Sequence, residues 1–269
     1  DLFMRLFDPI EAAAGELQTI QQGMAGLRRI REFFTLETES RGDTGSKEAD
    51  SDGARNAGGP DASGKPAILV HQARFAYIQE KEVLKGASLA IPAGCKAAIA
   101  GRTGSGKTTL LQLVAGLYPA SSGVVLIHGR DPYRLPPRER RRLIGMVPQT
   151  VTILHGSVLG NVTLRDPDIS EKEVEWALEQ VGLLADVQRL PNTLHTLLGE
   201  GEAKLSFGQN QLLSLARAIV TNPPVLLLDE LTSGLDALTE KQVLEAIRNI
   251  SGGRTILTIS HRLSGLLDA

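Results

Sequence analysis

The amino-acid sequence predicts an α/β domain with a largely parallel central sheet, preceded by a helix and a flexible linker. Two observations predict this class. Strand-like and helix-like runs alternate from residue 67 onward, and a glycine-rich loop joins one such strand to one such helix. The chain is therefore expected to divide into a helix at 1–37, a linker at 38–66 and a globular domain at 67–269.

The first region is predicted to be one long amphipathic helix. Its apolar residues recur at spacings of three and four, which places them along one face. They are Phe3, Leu6, Ile10, Ala13, Leu17, Ile20, Met24 and Leu27. Glu, Gln and Arg cover the opposite face, so this stripe is expected to pack against another helix rather than against lipid.

The second region is predicted to be a flexible tether. Residues 38–65 contain no Val, Ile, Leu, Met or aromatic side chain. Such a segment cannot bury enough apolar surface to offset the loss of chain entropy on folding.

In the globular region, short aliphatic runs predict strands and longer amphipathic runs predict helices. The strands are expected at 68–75, 87–91, 96–100, 124–127, 144–147, 225–228 and 255–259. The helices are expected at 107–116, 171–181, 208–221 and 238–250. Because strands alternate with helices along this region, the central sheet is expected to be largely parallel.

The loop after the third strand carries a phosphate-binding signature. It consists of Gly101, Arg102, Thr103, Gly104, Ser105, Gly106, Lys107, Thr108 and Thr109. The pattern Gly-x-x-x-x-Gly-Lys-[Ser/Thr] is that of a P-loop, whose backbone N–H groups surround phosphate oxygens at a helix N-terminus. Lys107 is expected to bind the β- and γ-phosphates, and Thr108 to offer its hydroxyl to Mg²⁺.

Composition excludes several other classes. The 269 residues are 42% hydrophobic and carry a formal net charge of -2, so no basic excess points to nucleic acid. The single cysteine, Cys95, excludes an internal disulfide. No apolar run is long enough to span a bilayer.

Two further motifs favour phosphate chemistry. The aliphatic run 225–228 ends in Asp229 and Glu230, where a carboxylate can hold Mg²⁺ and another can deprotonate a water. Ser206 precedes the helix expected at 208–221 and is either a simple helix cap or part of a second anion site.

The order of the motifs resembles the nucleotide-binding domain of ATP-binding cassette (ABC) transporters over residues 68–262. After the P-loop come Val147-Pro148-Gln149, Leu205-Ser206-Phe207-Gly208-Gln209, Leu228-Asp229-Glu230, Ser233-Gly234-Leu235-Asp236 and Ser260-His261-Arg262. The resemblance implies an ATP hydrolase that uses ATP and Mg²⁺. It also implies an antiparallel β subdomain and an α-helical signature subdomain beside the P-loop core.

The resemblance also implies roles for single residues. Tyr77 is expected to stack on adenine, Gln149 to reach Mg²⁺ and sense a transmembrane partner, and His261 to contact the γ-phosphate. Glu230, His261, Gln149 and Lys107 would form the catalytic set, and Thr108, Gln149 and Asp229 the metal set. Ser206, Gly208, Gln209 and Asp236 would serve the nucleotide of a second ABC ATPase domain that is placed head to tail.

Two segments resemble the exporter branch of the family. Residues 196–201 resemble a loop that touches the membrane domains, and residues 15–34 resemble the cytosolic end of a last transmembrane segment. The resemblance therefore implies a transmembrane domain as partner, and a place at the cytoplasmic face of the cell membrane. Its substrate stays open, and the stop at Ala269 suggests a domain that is truncated at its C-terminus.

Some residues depart from the family pattern. Phe207 stands where glycine is usual, Asn210 replaces arginine and Gly234 replaces alanine. A bulky side chain hinders close backbone approach to phosphate and positive φ. We therefore expect a weakened signature. In exporters built from two different chains, the chain with the intact carboxylate and histidine often carries the irregular signature, so the resemblance implies a heterodimer with a different second chain.

Two alternatives remain open. A soluble ABC ATPase of DNA maintenance or translation would not be coupled to transport. A regulatory module would bind ATP without hydrolysing it, although Glu230 and His261 argue against that.

Overall fold

The computed structural model describes residues 66–78, 81–199 and 202–259. The helix predicted at 1–37 and the linker up to residue 65 lie outside the described residues. Pro66, the last residue of the predicted linker, is the first residue of a strand.

Three strands form an antiparallel sheet in the order β2-β1-β4. They are β1 (Pro66–Ala76), β2 (Glu82–Pro92) and β4 (Ser122–Ile127). β2 begins before the strand predicted at 87–91, because Glu82 and Leu84 already pair with Ala76 and Phe75. The sequence hides this start, since Gly86 lies in the middle of the strand with φ of 98°.

Four strands form the parallel central sheet in the order β3-β9-β8-β5. They are β3 (Lys96–Ile99), β5 (Ile144–Val147), β8 (Val225–Asp229) and β9 (Thr255–Ile259). Each lies within one residue of its predicted position, which confirms the parallel sheet. A two-stranded ribbon of β6 (Gly156–Ser157) and β7 (Leu197–Leu198) was not predicted.

The four helices predicted in the globular region are present, with ends shifted by at most two residues. They are α1 (Lys107–Val114), α4 (Glu171–Gln180), α6 (Phe207–Ile219) and α7 (Ala237–Ile250). Shorter helices that the sequence did not reveal are α2 (Pro137–Leu143), α3 (Val158–Thr163) and α5 (Leu184–Gln188), with a 3₁₀ turn at Thr193–His195.

The parallel sheet is the middle layer of the domain. Along β8, Val225 and Leu227 pack into an apolar cluster with α1 and the antiparallel sheet. Leu226 and Leu228 point the other way, into a cluster formed with α3, α4, α6 and α7. Burial on both faces explains why β8 reads as a continuous aliphatic run. It also places Asp229 at the carboxyl end of a rigid, buried strand.

Within the described ranges, no helix combines the length and the apolar character needed to cross a bilayer.

Candidate functional site

The loop between β3 and α1 forms the floor of the site. Gly106 directly precedes α1 with φ of 87°, a left-handed conformation that favours glycine. A Cβ atom at this position would lie 3.0 Å from Leu84 Cδ2 and 3.3 Å from the carbonyl oxygen of Val83. No side chain among the described residues caps α1 at its N-terminus. The first N–H groups of α1 can therefore bind an anion.

The side chain of Lys107 folds back onto the first residues of this loop. Its Nζ donates to the carbonyl oxygens of Gly101, at 2.9 Å, and Arg102, at 3.1 Å. Only 9% of the residue is exposed. The cation is thus held by neutral acceptors directly above the loop, where a phosphate would be a stronger partner.

Thr108 and Asp229 connect the loop to the end of β8. The Thr108 hydroxyl donates to Asp229 Oδ1 at 3.5 Å. Burial raises the pKa of the Asp229 carboxyl; the Thr108 hydrogen bond opposes this, Glu230 adds to it, and Lys107 opposes it. The surroundings of Asp229 therefore disfavour its ionised carboxylate, and a bound cation would stabilise that ionised form.

Glu230 follows Asp229 in a left-handed conformation with φ of 46°. Its N–H donates to the carbonyl oxygen of Ile259 at 3.1 Å, and its Oε2 accepts from Gln149 Nε2 at 3.0 Å. A non-glycine residue at positive φ is strained, and such strain occurs often at functional sites. The backbone here turns the carboxylate out of the strand direction and toward the segment after β5.

These groups line one cavity of about 440 Å³. Its walls come from β2, the loop, α1 and the segments that follow β5 and β8. The lining residues are Val83, Thr103, Gly104, Gly106, Lys107, Thr108, Thr109, Gln149 and Glu230. Val83 was not predicted, because a single valine in an exposed strand carries no local signal of a site.

Tyr77 lies beside the cavity but does not line it. Its hydroxyl donates to Gln112 Oε1 at 2.7 Å and lies 3.2 Å from Thr109 Oγ1, so it is tied to α1. Its ring meets Phe75 and Tyr118 edge to face, at centroid distances of 4.8 and 5.5 Å. Half of the residue remains exposed. The position fits a base-stacking role next to the phosphate loop, which stays a prediction.

Ser206 and Gln209 cap α6 reciprocally. The Gln209 N–H donates to Ser206 Oγ at 3.2 Å, and the Ser206 N–H donates to Gln209 Oε1 at 2.9 Å. Gly208 is buried, and a Cβ atom there would lie 2.2 Å from Thr239 Cγ2. This glycine is therefore needed for the close approach of α6 to α7, whatever ligand the helix end meets.

Phe207 is the first residue of α6 and is 56% exposed. It is not among the residues with positive φ. Phe207 therefore does not have the positive φ that an aromatic residue would tolerate poorly, because it has helical geometry. Its bulk on the exposed helix end remains as the departure from the family pattern.

Asp236 caps α7. Its carboxylate accepts from the N–H groups of Leu238 and Thr239, both at 3.1 Å, and from the Thr239 hydroxyl at 2.6 Å. The Thr239 hydroxyl, followed by the Thr239 N–H, lowers the pKa of this carboxyl. Asp236 thus has a structural role within its own helix.

The structure brings most predicted residues to one place and leaves a second group apart. Gly101 and Arg102 accept from Lys107, and Asp229 accepts from Thr108. These three residues and Ser105 of the same loop do not line the cavity. Ser206, Gly208, Gln209 and Asp236 lie at the N-termini of α6 and α7 and do not line it. His261 lies outside the described residues, and its role stays a prediction.

The comparisons with known proteins agree with this geometry. A family described as "ABC transporter" matches residues 84–233. The "ATP-dependent lipid A-core flippase" of Desulfotalea psychrophila is 34% identical over 263 residues, or 98% of this chain and 44% of the flippase. The mitochondrial "Iron-sulfur clusters transporter ABCB7" of Rattus norvegicus is 38% identical over 202 residues, which cover 75% of this chain and 27% of that protein.

A solved structure of an ABC exporter is also similar to this chain. A "bacterial Atm1-family ABC exporter with ATP bound" superimposes with a TM-score of 0.69 at 30% identity, covering 99% of this chain and 44% of that one. The chain thus spans less than half of each of these relatives. The fold and the motif order agree, and the chain belongs to the ABC transporter family as an ATP-binding domain.

Proposed function

We propose that this chain binds ATP with Mg²⁺ and hydrolyses it to drive export of a substrate across a membrane. The observation that carries the proposal is a cavity in which Lys107, Thr108, Gln149 and Glu230 meet. Gln149 and Glu230 are distant in sequence from the adjacent Lys107 and Thr108, and together the four supply a cation, a hydroxyl, an amide and a carboxylate. Phosphoryl transfer needs such positioning and charge stabilisation more than covalent catalysis.

The loop and Lys107 bind the triphosphate. Lys107 Nζ exchanges its two carbonyl partners, at 2.9 and 3.1 Å, for phosphate oxygens, which are stronger acceptors because they are charged. The uncapped N-terminus of α1 adds its N–H groups and dipole. Tyr77 offers its exposed ring to the base.

The donor set fits Mg²⁺. Thr108 and Asp229 are hard oxygen ligands 3.5 Å apart, and Gln149 supplies an amide at the cavity wall. Mg²⁺ keeps several waters and needs few protein ligands. It would neutralise phosphate charge, and it would restore the ionised state that burial disfavours at Asp229.

Glu230 acts as the general base. Its carboxylate takes a proton from a water whose oxygen forms a bond to the γ-phosphorus, while the bond to the leaving ADP oxygen breaks. Gln149 holds this carboxylate by donating from Nε2 at 3.0 Å. His261 would contact the γ-phosphate.

The second group of residues serves a second cassette. Ser206, Gly208 and Gln209 lie in the first turn and cap of α6, outside this cavity. Their proposed role is to close the cavity of a partner. The exposed Phe207 enlarges this end of α6 and reduces its fit to a phosphate. We therefore propose a heterodimer, in which this chain's Lys107 and Glu230 meet the signature of a different chain.

A transmembrane domain is the second proposed partner, with this domain at the cytoplasmic face of the cell membrane. Leu154 and Leu197 are exposed leucines at the ribbon of β6 and β7, next to the loop that carries Gln149. Exposed apolar side chains on and beside the loop that carries Gln149 suit contact with membrane helices. Reconstitution with its natural membrane partner should give ATP-dependent export, and ATP turnover without any transport would refute this part.

Turnover by the purified chain tests the chemistry. Glu230→Gln should lower kcat by about 10²- to 10⁴-fold and keep nucleotide binding, because it removes only a general base. Lys107→Ala should weaken nucleotide binding by about 10- to 100-fold, since a hydrogen bond to a charged group contributes about 1.5–3 kcal/mol.

The matched controls are Glu245→Gln and Lys241→Ala, on exposed positions of α7 outside the cavity. Both should behave like the unchanged chain in turnover and in binding of a fluorescent ATP analogue. Equal turnover of Glu230→Gln and Glu245→Gln would eliminate Glu230 as the base.

A further inference from the structure

The segment that follows Gln149 is held in place by side chains from elsewhere. Residues 150–155 form neither helix nor strand. In the described ranges, the hydrogen bonds to their backbone come from Asn161, Arg217 and, at 3.5 Å, Arg165. A loop with no hydrogen bonds of its own depends on those donors and acceptors for its conformation.

Asn161 lies at the centre of this arrangement and is 1% exposed. Its Oδ1 accepts from the Leu154 N–H at 2.8 Å, and its Nδ2 donates to the Leu154 carbonyl oxygen at 2.8 Å. The same Nδ2 group reaches the Ser157 carbonyl oxygen at 3.1 Å. The side chain thus copies the pairing of a β-strand and fixes the loop from one side.

Arg217 fixes the loop from the side of α6. Its Nη1 donates to the Thr152 carbonyl oxygen at 3.1 Å, its Nη2 to Asn161 Oδ1 at 3.2 Å and its Nε to the Asn161 carbonyl oxygen at 2.8 Å. Burial lowers the pKa of this guanidinium. Arg141 donates to the next carbonyl oxygens of α3, those of Val162 and Thr163. The two arginines therefore satisfy the C-terminal end of α3, which a helix leaves without internal partners.

The loop joins this arrangement to Gln149, whose side chain contacts the carboxylate of Glu230. Thr152 lies three positions after Gln149, whose amide holds Glu230 at 3.0 Å. A displacement of the loop would move the amide, and a displacement of about 1 Å can reduce a rate by about 10²-fold.

We propose that Asn161 and Arg217 are positioning residues that hold Gln149 against Glu230. The inference rests on the proposed ATP hydrolysis, and it adds residues that contact neither nucleotide nor metal. Their effect must fall on kcat, since the loop and Lys107 that bind the phosphates belong to other segments.

The test compares Arg217→Met with Arg254→Met in the full chain. Arg254 is a matched control, because burial also lowers its pKa and it donates to the carbonyl oxygen of Pro223 at 3.2 Å. It lies at the start of β9, roughly 13 Å along the strand from the cavity end. Arg217→Met should lower kcat by about 10- to 100-fold and change the nucleotide Kd less than about twofold. Arg254→Met should leave both values unchanged.

A double mutant separates positioning from general damage. In a Gln149→Ala background, Arg217→Met should cause little further loss of kcat, because residues that act through one another are not additive. Full additivity, or equal kcat of Arg217→Met and Arg254→Met, would overturn the proposal.

A conservative variant covers the case in which Arg217→Met does not fold. Asn161→Asp keeps the acceptors for Leu154 and Arg217 but removes the donors to Leu154 and Ser157. It should lower kcat at unchanged Kd, and a kcat equal to that of the unchanged chain would overturn the proposal.

Hydrogen exchange keeps this proposal separate from the proposed function. If the unchanged chain hydrolyses ATP neither alone nor together with a partner ABC ATPase domain, the proposed function fails. The positioning claim is then decided by the Leu154 amide, which should exchange faster in Arg217→Met than in Arg254→Met. Equal protection in these two variants would refute it.

Discussion

Gly208 offers a prediction that separates two reasons for a glycine at this position. One reason is close approach of the helix end to a phosphate; the other is close packing of α6 on α7. The structure supports the second on its own, because a Cβ atom at position 208 would lie 2.2 Å from Thr239 Cγ2. We therefore predict that Gly208→Ala destabilises the fold in the absence of any nucleotide.

The magnitude follows from the overlap. Ordinary carbon–carbon contacts are near 3.8 Å, so the added methyl group overlaps by about 1.6 Å. Thr239 cannot rotate freely, since its hydroxyl donates to Asp236 at 2.6 Å. Overpacking of this kind costs about 1–3 kcal/mol. Without the clash, alanine would instead stabilise a helix by about 0.5–1 kcal/mol. The sign of the change therefore decides the matter.

Thermal unfolding of the purified chain is the assay. Each kcal/mol corresponds to about 2–4 °C in a domain of this size, so Gly208→Ala should lower Tm by several degrees. The double mutant Gly208→Ala/Thr239→Ser should recover most of the loss, because serine removes Cγ2 and keeps the hydroxyl that binds Asp236. An unchanged or higher Tm for Gly208→Ala, or no recovery by serine, would refute the packing argument.

Three further predictions concern other positions. Asp229→Asn should raise Tm at neutral pH without Mg²⁺. Because the pKa of the folded carboxyl is raised above 3.8, the native chain loses stability as pH rises from 3.8 through the raised pKa, so the gain from asparagine should vanish near pH 3.8. A lower Tm of the variant at neutral pH would contradict this. Gly145→Ala should cost more than about 3 kcal/mol in denaturant unfolding, because its Cβ would lie 2.2 Å from the Ala218 carbonyl oxygen on a rigid helix; a loss below about 1 kcal/mol would count against it. Phe207→Gly should raise the turnover of the self-paired chain several-fold while Tm changes little, and equal turnover before and after the change would remove the reason for proposing a heterodimer.

Elements with a strong local pattern were predictable from the sequence. β8 is a continuous aliphatic run because both of its faces are buried, and α1 follows a glycine signature that only a few conformations allow. The family follows from the order of such motifs. The predicted ends of β8 and α1 lie within two residues of the observed ends.

The short elements were not predictable, because their stability comes from distant residues. α3 has only 6 residues, and its last carbonyl groups are satisfied by Arg141 of α2 and Arg217 of α6. The ribbon of β6 and β7 pairs segments about 40 residues apart in the chain. A sequence pattern cannot show such partners before the fold is known.

Individual residues of the candidate site were predictable, but the side-chain contacts between them were not. The sequence indicates Lys107, Thr108 and Glu230 by type and place. It does not indicate that Tyr77 is tied to Gln112, or that Gly208 is required by Thr239. Each of these contacts joins residues from different elements, so it depends on tertiary packing rather than on spacing.

The arrangement of helix ends explains why one cassette is expected to need another. α1 directs its uncapped N-terminus into the cavity, whereas α6 has its N-terminus capped by Ser206 and Gln209 and does not reach this cavity. A triphosphate that binds only the first helix end keeps one side open to water, where charge interactions are weak. A second chain in head-to-tail orientation would bring its own α6 to that side and exclude water. In that arrangement the energy of phosphate binding would favour association of the two chains, and hydrolysis would allow them to separate. Since Gln149 links the carboxylate to a loop held by Asn161 and Arg217, that separation would be transmitted to the exposed leucines at the ribbon of β6 and β7.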